Sequence, residues 1–151
     1  MNKIITLVAV LSIGIQLFKA PASDAARCGM TEEEFIFISS VVEAESDRCT
    51  DSTVGRMYIA LVILNRVADD RFPDTISEVL CQQNQFSTVR NSHSIVGRTE
   101  LSDQAVIEAV EWIESGDAPR DLLFFNCRGY DIGIPYDYIG GNYFMRLEAE
   151  V

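Results

Sequence analysis

Basic residues and histidine are scarce in this chain of 151 residues. It has 12 lysines and arginines against 23 aspartates and glutamates, for a net charge of −11, and its single histidine is His93. Because nucleic-acid binding needs a basic surface that neutralises phosphates, this composition argues against a nucleic-acid partner. No cysteine spacing matches a CxxC or Cys/His zinc pattern, so a structural zinc site is not expected. We predict no metal site and no cofactor, although Glu45 and Asp47 could hold a weak calcium that nothing in the sequence demands.

The longest apolar run lies at the N-terminus, from Ile4 to Phe18, between Lys3 and the small residues of "KAPASDAA". A basic start, a short apolar core and small residues at its end are typical of a secretory signal peptide. The run is also rather short to span a bilayer. We therefore predict a signal peptide over residues 1–25, cleaved after Ala22 or Ala25. The exported remainder would lie in the periplasm, the extracellular space or the cell envelope, with no stable membrane span after cleavage.

Residues 26–151 are enough for one domain, which we expect to be monomeric. Its four cysteines are Cys28, Cys49, Cys81 and Cys127. An even number of cysteines in an exported chain predicts two disulfides, and three pairings are possible.

Helical patterns dominate the rest of the chain. Thr31 and Glu34 form a capping box that begins a helix running to about Glu45 or Ser46. The stretch 49–70 is apolar on nearly every side, which predicts a central helix, and Asn65 near its end is expected to tie down a neighbouring loop. Further predicted elements are a short helix capped by Asp74 that ends at Leu80, a helix over 102–114, and short strands over 122–126 and 138–144. The expected fold is mainly α (α+β), with a short β element near the C-terminus.

The segment "VVEAESDRC" places three carboxylates, Glu43, Glu45 and Asp47, near the end of the first predicted helix. The negative end of a helix dipole disfavours acids at that position, so an acid kept there suggests a functional role. Apolar residues on both sides and two neighbouring acids predict that the pKa of Glu43 is raised. A raised pKa would suit a carboxyl that donates a proton near neutral pH.

The segments "VVEAESD", "ALVILNRVADDRFPDTISEVL" and "QNQFSTV" resemble the bacterial cell-wall hydrolase family that includes spore-cortex-lytic enzymes of the SleB/CwlJ type. That family has an "EA-x-G-E" segment, a helix ending in "VLNRV", an "FP-x-(T/S)-I" segment and a "Q-x-x-Q/A-F-S/T" loop. The resemblance covers roughly residues 35–145. It implies a lysozyme-like fold and an enzyme that cleaves the glycan of peptidoglycan, often as a lytic transglycosylase.

By this resemblance Glu43 matches the catalytic glutamate of the family, and Asp47 matches the second acid of the segment. The chain departs from the family pattern at Ser46 in place of Gly, at Cys127 in place of Pro, and at Asn142 near the usual His. These departures affect the late loop more than the glutamate.

Two mechanisms fit these acids. In a lytic transglycosylase, Glu43 acts alone as acid and then base, while the muramyl 6-hydroxyl attacks and leaves a 1,6-anhydro end. In a two-carboxylate muramidase-type hydrolase, Asp47 is the secondary candidate acid. We favour the first, because two acids on one helix approach the sugar from the same side. A non-catalytic peptidoglycan-binding or envelope interaction protein is the alternative from another class.

Four further residues are candidates for binding peptidoglycan, the expected partner. Gln85 and Ser87 lie in a polar loop, and Asn126 and Tyr143 lie in the aromatic C-terminal segment. Amide and hydroxyl groups can hydrogen-bond to sugars, and a tyrosine ring can pack against a sugar ring. Phe86 fits a place in the cleft wall and a place in the core equally well.

Overall fold

The computed structural model describes residues 22–46, 53–83, 85, 86, 89 and 97–147. Within these residues the chain forms five helices and one three-stranded sheet. The helices are α1 (Asp24–Arg27), α2 (Glu32–Glu45), α3 (Thr53–Val67), α4 (Ile76–Leu80) and α5 (Glu100–Ser115), and the strands are β1 (Leu122–Asn126), β2 (Ile134–Ile139) and β3 (Asn142–Arg146). Several residues named in the sequence analysis lie outside the described residues: most of the predicted signal peptide, Asp47, Cys49, Ser87 and His93.

Helix α2 begins as predicted, at a complete capping box. Thr31 Oγ1 accepts a hydrogen bond from the Glu34 amide at 3.2 Å, and a Glu34 carboxylate oxygen accepts one from the Thr31 amide at 2.9 Å. The helix ends at Glu45, and the amide of its cap residue Ser46 donates to the carbonyls of Val42 and Glu43. Both predicted ends of this helix are therefore confirmed.

Helix α3 is the centre of the core, as its apolar sequence predicts. Ile59, Ala60, Leu61, Val62 and Ile63 are all fully buried. The helix packs against α2, α4, α5 and β1. An element surrounded on this many sides has little solvated surface beyond its first turn, which explains why its apolar residues do not follow a single stripe.

The end of α3 fixes the start of the sheet. Asn65 Nδ2 donates to the carbonyls of Pro119 and Leu122, both at 2.9 Å, so the predicted role of Asn65 as a buried tie is confirmed. The next residue, Arg66, donates from Nε to the carbonyl of Leu123 at 2.8 Å. Two consecutive polar side chains thus satisfy three backbone carbonyls at the entrance to β1.

Two predicted helix starts are wrong by a few residues. The cap of α4 is Thr75 rather than Asp74, and its Oγ1 accepts from the Glu78 amide at 3.2 Å. Helix α5 begins at Glu100, two residues before the predicted 102, because Thr99 caps it and Ser102 reciprocates from the third helical position. In both cases a threonine three residues before a matching partner completes the capping arrangement.

The sheet has the strand order β1-β3-β2, with both pairings antiparallel. The strand predicted over 138–144 is wrong, because Gly140 and Gly141 adopt φ of +57° and +88° and form the turn between two strands. Positive φ at both central residues is what a tight type I′ hairpin turn requires. The predicted strand β1, by contrast, has the bounds that the structure shows.

The predicted boundary at residue 25 falls inside α1, where Ser23 caps the helix and Ala25 is buried. Cys28 follows α1 and is half-buried, whereas Cys81 is exposed; neither forms a disulfide with another described residue. Since Cys49 lies outside the described residues, the two disulfides stay a prediction. No described helix is both long enough and apolar enough to cross a bilayer.

Candidate active site

The Glu43 carboxylate lies in the last turn of α2 and forms a bidentate ion pair with Arg56 of α3. Arg56 Nε donates to Oε2 and Nη2 donates to Oε1, both at 3.0 Å. The Glu43 side chain is only 17% exposed, and that of Arg56 is 8% exposed. A guanidinium that meets a carboxylate with two parallel hydrogen bonds fixes both the position and the plane of the acid.

Thr99, at the start of α5, supplies a third hydrogen bond to the same carboxylate. Its Oγ1 donates to Glu43 Oε2 at 2.7 Å and accepts from the Ser102 amide at 3.2 Å. The acid therefore lies next to the N-terminus of α5, whose positive dipole end favours an anion. This offsets the unfavourable position of Glu43 at the C-terminal end of its own helix.

These contacts lower the pKa of Glu43. The hydrogen bonds from Arg56 are the largest cause, the hydrogen bond from Thr99 and the positive charge of Arg56 act in the same direction, and partial burial opposes them. The predicted rise in this pKa is therefore wrong. The reason is that the partner which decides the protonation state comes from another helix, whereas the local sequence shows only the neighbouring acids.

Gln85 is held by a buried arginine. Arg66, 4% exposed, donates from Nη1 to Gln85 Oε1 at 2.9 Å. Its guanidinium carbon lies 5.1 to 5.6 Å from the ring centroids of Phe72, Phe86 and Phe124. Phe86 is buried, so it anchors the loop in the core. Gln85 itself is exposed beside this anchor, and its role in substrate binding stays a prediction.

Asn126 uses both ends of its amide inside the loop that follows β1. Its Oδ1 accepts from the amides of Arg128 and Gly129 at 2.7 and 3.0 Å, and its Nδ2 donates to Asp131. This arrangement shapes a turn. The two lone pairs of Oδ1 are thus used, whereas Nδ2 has a second hydrogen with which Asn126 could donate to a sugar hydroxyl.

Tyr143 belongs to a cluster of three tyrosines formed by the sheet and the loop that follows β1. Its ring centroid lies 5.0 Å from that of Tyr130 and 4.6 Å from that of Tyr138, its cross-strand partner. Tyr130 and Tyr138 are 44% and 55% exposed, so the cluster presents aromatic surface to solvent. The predicted role of Tyr143 in binding stays a prediction with a suitable surface around it.

Arg56 and Thr99 are the residues of this site that the sequence reasoning missed. Arg56 precedes Ile59 and Ile63 at spacings of three and seven, so it shares the core-facing side of α3. A buried arginine needs hydrogen-bond acceptors, which carboxylates often supply, and this expectation could have pointed from Arg56 to a nearby acid such as Glu43. Within the described ranges, no three His, Cys, Asp or Glu side chains are grouped so that they could hold a metal ion.

Comparison with known proteins identifies relatives of this chain. The family model for "Cell Wall Hydrolase" matches residues 50–131, more than half of the sequence, beginning after Glu43. The spore cortex-lytic enzyme of Bacillus cereus is 29% identical over 99 residues, covering 65% of this chain and 36% of that protein. That of Oceanobacillus iheyensis is 34% identical over 73 residues, covering 48% and 25%. This chain thus spans about a third or less of the length of these curated relatives.

Two solved structures share the fold. The catalytic domain of the germination-specific lytic transglycosylase SleB from Bacillus anthracis has a TM-score of 0.63 and 22% identity, covering 78% of this chain and 98% of that domain. The catalytic domain of the Bacillus cereus SleB protein has a TM-score of 0.64 and 21% identity, covering 85% and 100%. These matches confirm the predicted mainly α, lysozyme-like fold with a small sheet.

Proposed function

This chain belongs to the cell wall hydrolase family, and we propose that it cleaves the glycan strands of peptidoglycan as a lytic transglycosylase. Glu43 is its single acid and base. The observation that carries this proposal is the partly buried Glu43 carboxylate, fixed by side chains from two other helices. An acid held this firmly has the defined position that proton transfer to a bound substrate requires.

The proposed reaction begins with Glu43 protonated. The carboxyl gives its proton to the glycosidic oxygen as the bond from that oxygen to the anomeric carbon breaks. The resulting carboxylate then takes the proton of the muramyl 6-hydroxyl, and the 6-oxygen bonds to the anomeric carbon. The product has a 1,6-anhydro end, no water is consumed, and Glu43 is protonated again.

The lowered pKa of Glu43 has a consequence for this cycle. The protonated form that begins a turnover becomes more populated as the pH falls towards that pKa. We therefore expect kcat/KM to rise from neutral towards acidic pH, until the fold itself loses stability.

The two-carboxylate hydrolase remains the second candidate mechanism. It needs Asp47 as nucleophile or base, and Asp47 lies outside the described residues. The choice between the mechanisms consequently depends on the products.

We also propose that the protein is exported and acts as a monomer on peptidoglycan in the cell envelope. The proposed substrate lies outside the cytoplasmic membrane, so an enzyme that cleaves it must reach that side. A non-catalytic binding protein with this fold would bind the same walls and release no fragments.

The test is mass spectrometry of muropeptides released from vegetative walls and from spore cortex by the wild-type protein and by Glu43→Gln. Glu33→Gln is the matched control, because it makes the same change at an exposed position on the same helix. We expect products one water lighter than reducing muropeptides from the wild type and from Glu33→Gln, and none from Glu43→Gln. Reducing ends would replace the transglycosylase with the hydrolase. No product on either substrate would refute the enzyme.

A further inference from the structure

We propose that Arg56 and Thr99 are positioning residues that anchor one oxygen of Glu43 and leave the other to exchange the proton with the substrate. The anchored atom occupies the Oε2 position and the reacting atom occupies the Oε1 position. This inference rests on the proposed function of Glu43, because it assigns the two oxygens of that acid to different tasks.

The hydrogen bonds on the two oxygens are unequal. Oε2 accepts from Arg56 Nε and from Thr99 Oγ1, whereas Oε1 accepts only from Arg56 Nη2 among the described residues. A carboxylate oxygen has two lone-pair sites, so both sites of Oε2 are used and one site of Oε1 is left. A proton can therefore bind at Oε1 without breaking any of the three hydrogen bonds.

The anchor is rigid because its three members belong to three helices. Glu43 is at the end of α2, Arg56 is in the first turn of α3 and Thr99 caps α5. The Arg56 side chain is nearly buried, and its planar fork sets the plane of the carboxylate. Turning the carboxylate by half a turn exchanges two equivalent atoms and leaves the same two positions, so the assignment holds for positions and not for atom names.

Among the described residues, Arg56 is the one whose charge lowers the pKa of Glu43. Thr99 contributes a neutral hydroxyl. Replacing Arg56 removes the positive charge and two of three donors, whereas replacing Thr99 removes one donor and leaves the charge. The two replacements should therefore change the acid by different amounts and for separable reasons.

The experiment follows the Glu43 carboxyl directly and then measures its chemistry. The carbon-13 signal of this carboxyl, assigned by its absence in Glu43→Gln, is titrated in the wild type, Arg56→Met and Arg56→Lys. The same proteins are assayed for muropeptide release between acidic and neutral pH. Arg27→Met is the matched control, because Arg27 is half-exposed and pairs with Asp24 and Glu111.

We expect the titration midpoint of Glu43 to rise in Arg56→Met, because the charge and two donors are lost. We also expect kcat to fall by about 100-fold with little change in KM, the effect of a misplaced catalytic group. In Arg56→Lys the charge remains but the fork is lost, so the midpoint should stay lower than in Arg56→Met while kcat stays reduced. Arg27→Met should behave as the wild type in both measurements.

The outcomes separate this inference from the proposed function. If the wild type releases products, Glu43→Gln does not, and Arg56→Met matches the wild type in titration or in kcat, this inference is overturned and the function stands. If the wild type releases no product, the function fails and the inference falls with it. If Arg56→Met does not fold, the comparison of Thr99→Val with Thr99→Ser replaces it. The titration midpoint of Glu43 should stay closer to the wild-type value in Thr99→Ser, which keeps the hydroxyl, than in Thr99→Val. Equal midpoints in these two variants would refute the anchor.

Discussion

A double-mutant cycle between Glu43 and Arg56 tests the central contact of the site through stability alone. The variants are Glu43→Gln, Arg56→Met and the double variant. Arg56→Met deletes two charge-assisted hydrogen bonds and leaves a carboxylate that is only 17% exposed with Thr99 as its partner. In the double variant both positions are neutral. Comparing the double variant with the two single variants therefore isolates the interaction between the two side chains.

The expected size follows from this burial. Breaking a fully buried ion pair costs about 3–5 kcal/mol. An exposed pair contributes about 0–1 kcal/mol. Because Glu43 retains some contact with water, we expect Arg56→Met to reduce the free energy of unfolding by about 2–3 kcal/mol. The coupling energy of the cycle should be about 2 kcal/mol at neutral pH.

The pH dependence of this coupling has a definite sign. The pKa of Glu43 is lowered in the folded protein relative to its ordinary value. Its stabilising contribution is therefore complete above the ordinary carboxyl range and is lost as the pH falls through the folded-state pKa. The coupling should consequently shrink at acidic pH, where Glu43 becomes protonated.

The assay is urea denaturation followed by circular dichroism, at neutral and at acidic pH, with the denaturant slope m compared among the four proteins. A coupling below about 0.5 kcal/mol at neutral pH would refute the reasoning, because it would place the pair in the range of exposed surface pairs. An equally large coupling at both pH values would refute its electrostatic origin.

Two further stability predictions follow from the fold. Asn65→Asp removes the donors to the carbonyls of Pro119 and Leu122 and places a buried carboxylate next to them. We therefore expect this substitution to reduce the free energy of unfolding, measured by thermal denaturation, by about 3 kcal/mol or more. A loss below about 1 kcal/mol would contradict the role of Asn65 as a buried tie. Gly133→Ala should be more destabilising than Gly116→Ala, although both positions have positive φ, because a Cβ at Gly133 would lie 2.1 Å from the Arg146 carbonyl oxygen whereas nothing lies within 4 Å at Gly116. We expect about 1–2 kcal/mol at Gly116 and more at Gly133, and equal losses in the same unfolding assay would show that the close approach is relieved without cost.

Local signals account for the parts of the fold that the sequence predicts well. The capping box at Thr31 involves residues three apart, and the buried run of α3 is continuous in sequence, so each can be recognised without knowledge of the tertiary structure. The hairpin was missed for a related reason. Its first strand, Ile134–Ile139, is mostly exposed and contains Pro135, so it lacks the alternation that marks a half-buried strand. The pair Gly140–Gly141 was the available signal, since two glycines between apolar runs favour a tight hairpin turn.

The site shows where local reasoning ends. The position of Glu43 near a helix end could be predicted from the helical pattern, and the family resemblance supplied its proposed role. Its protonation state could not, because the donors that set it come from Arg56, 13 residues away, and Thr99, 56 residues away. Such contacts depend on how three helices pack, and a list of neighbouring acids gives the opposite sign for the pKa shift.

A lowered pKa is compatible with proton donation by Glu43. As the proton leaves for the glycosidic oxygen, negative charge develops on the carboxylate, and Arg56 and Thr99 already point at that charge. Donors that are in place before the charge develops stabilise the transition state without further rearrangement. The same donors reduce the fraction of Glu43 that is protonated at the start, so acid strength is gained while the reactive population falls. At a pH near the pKa of Glu43 the loss of protonated enzyme is small, while the stabilisation of the transition state by the donors is retained. The anchor is therefore best suited to an enzyme that works under acidic conditions, and removing Arg56 should weaken the acid at every pH.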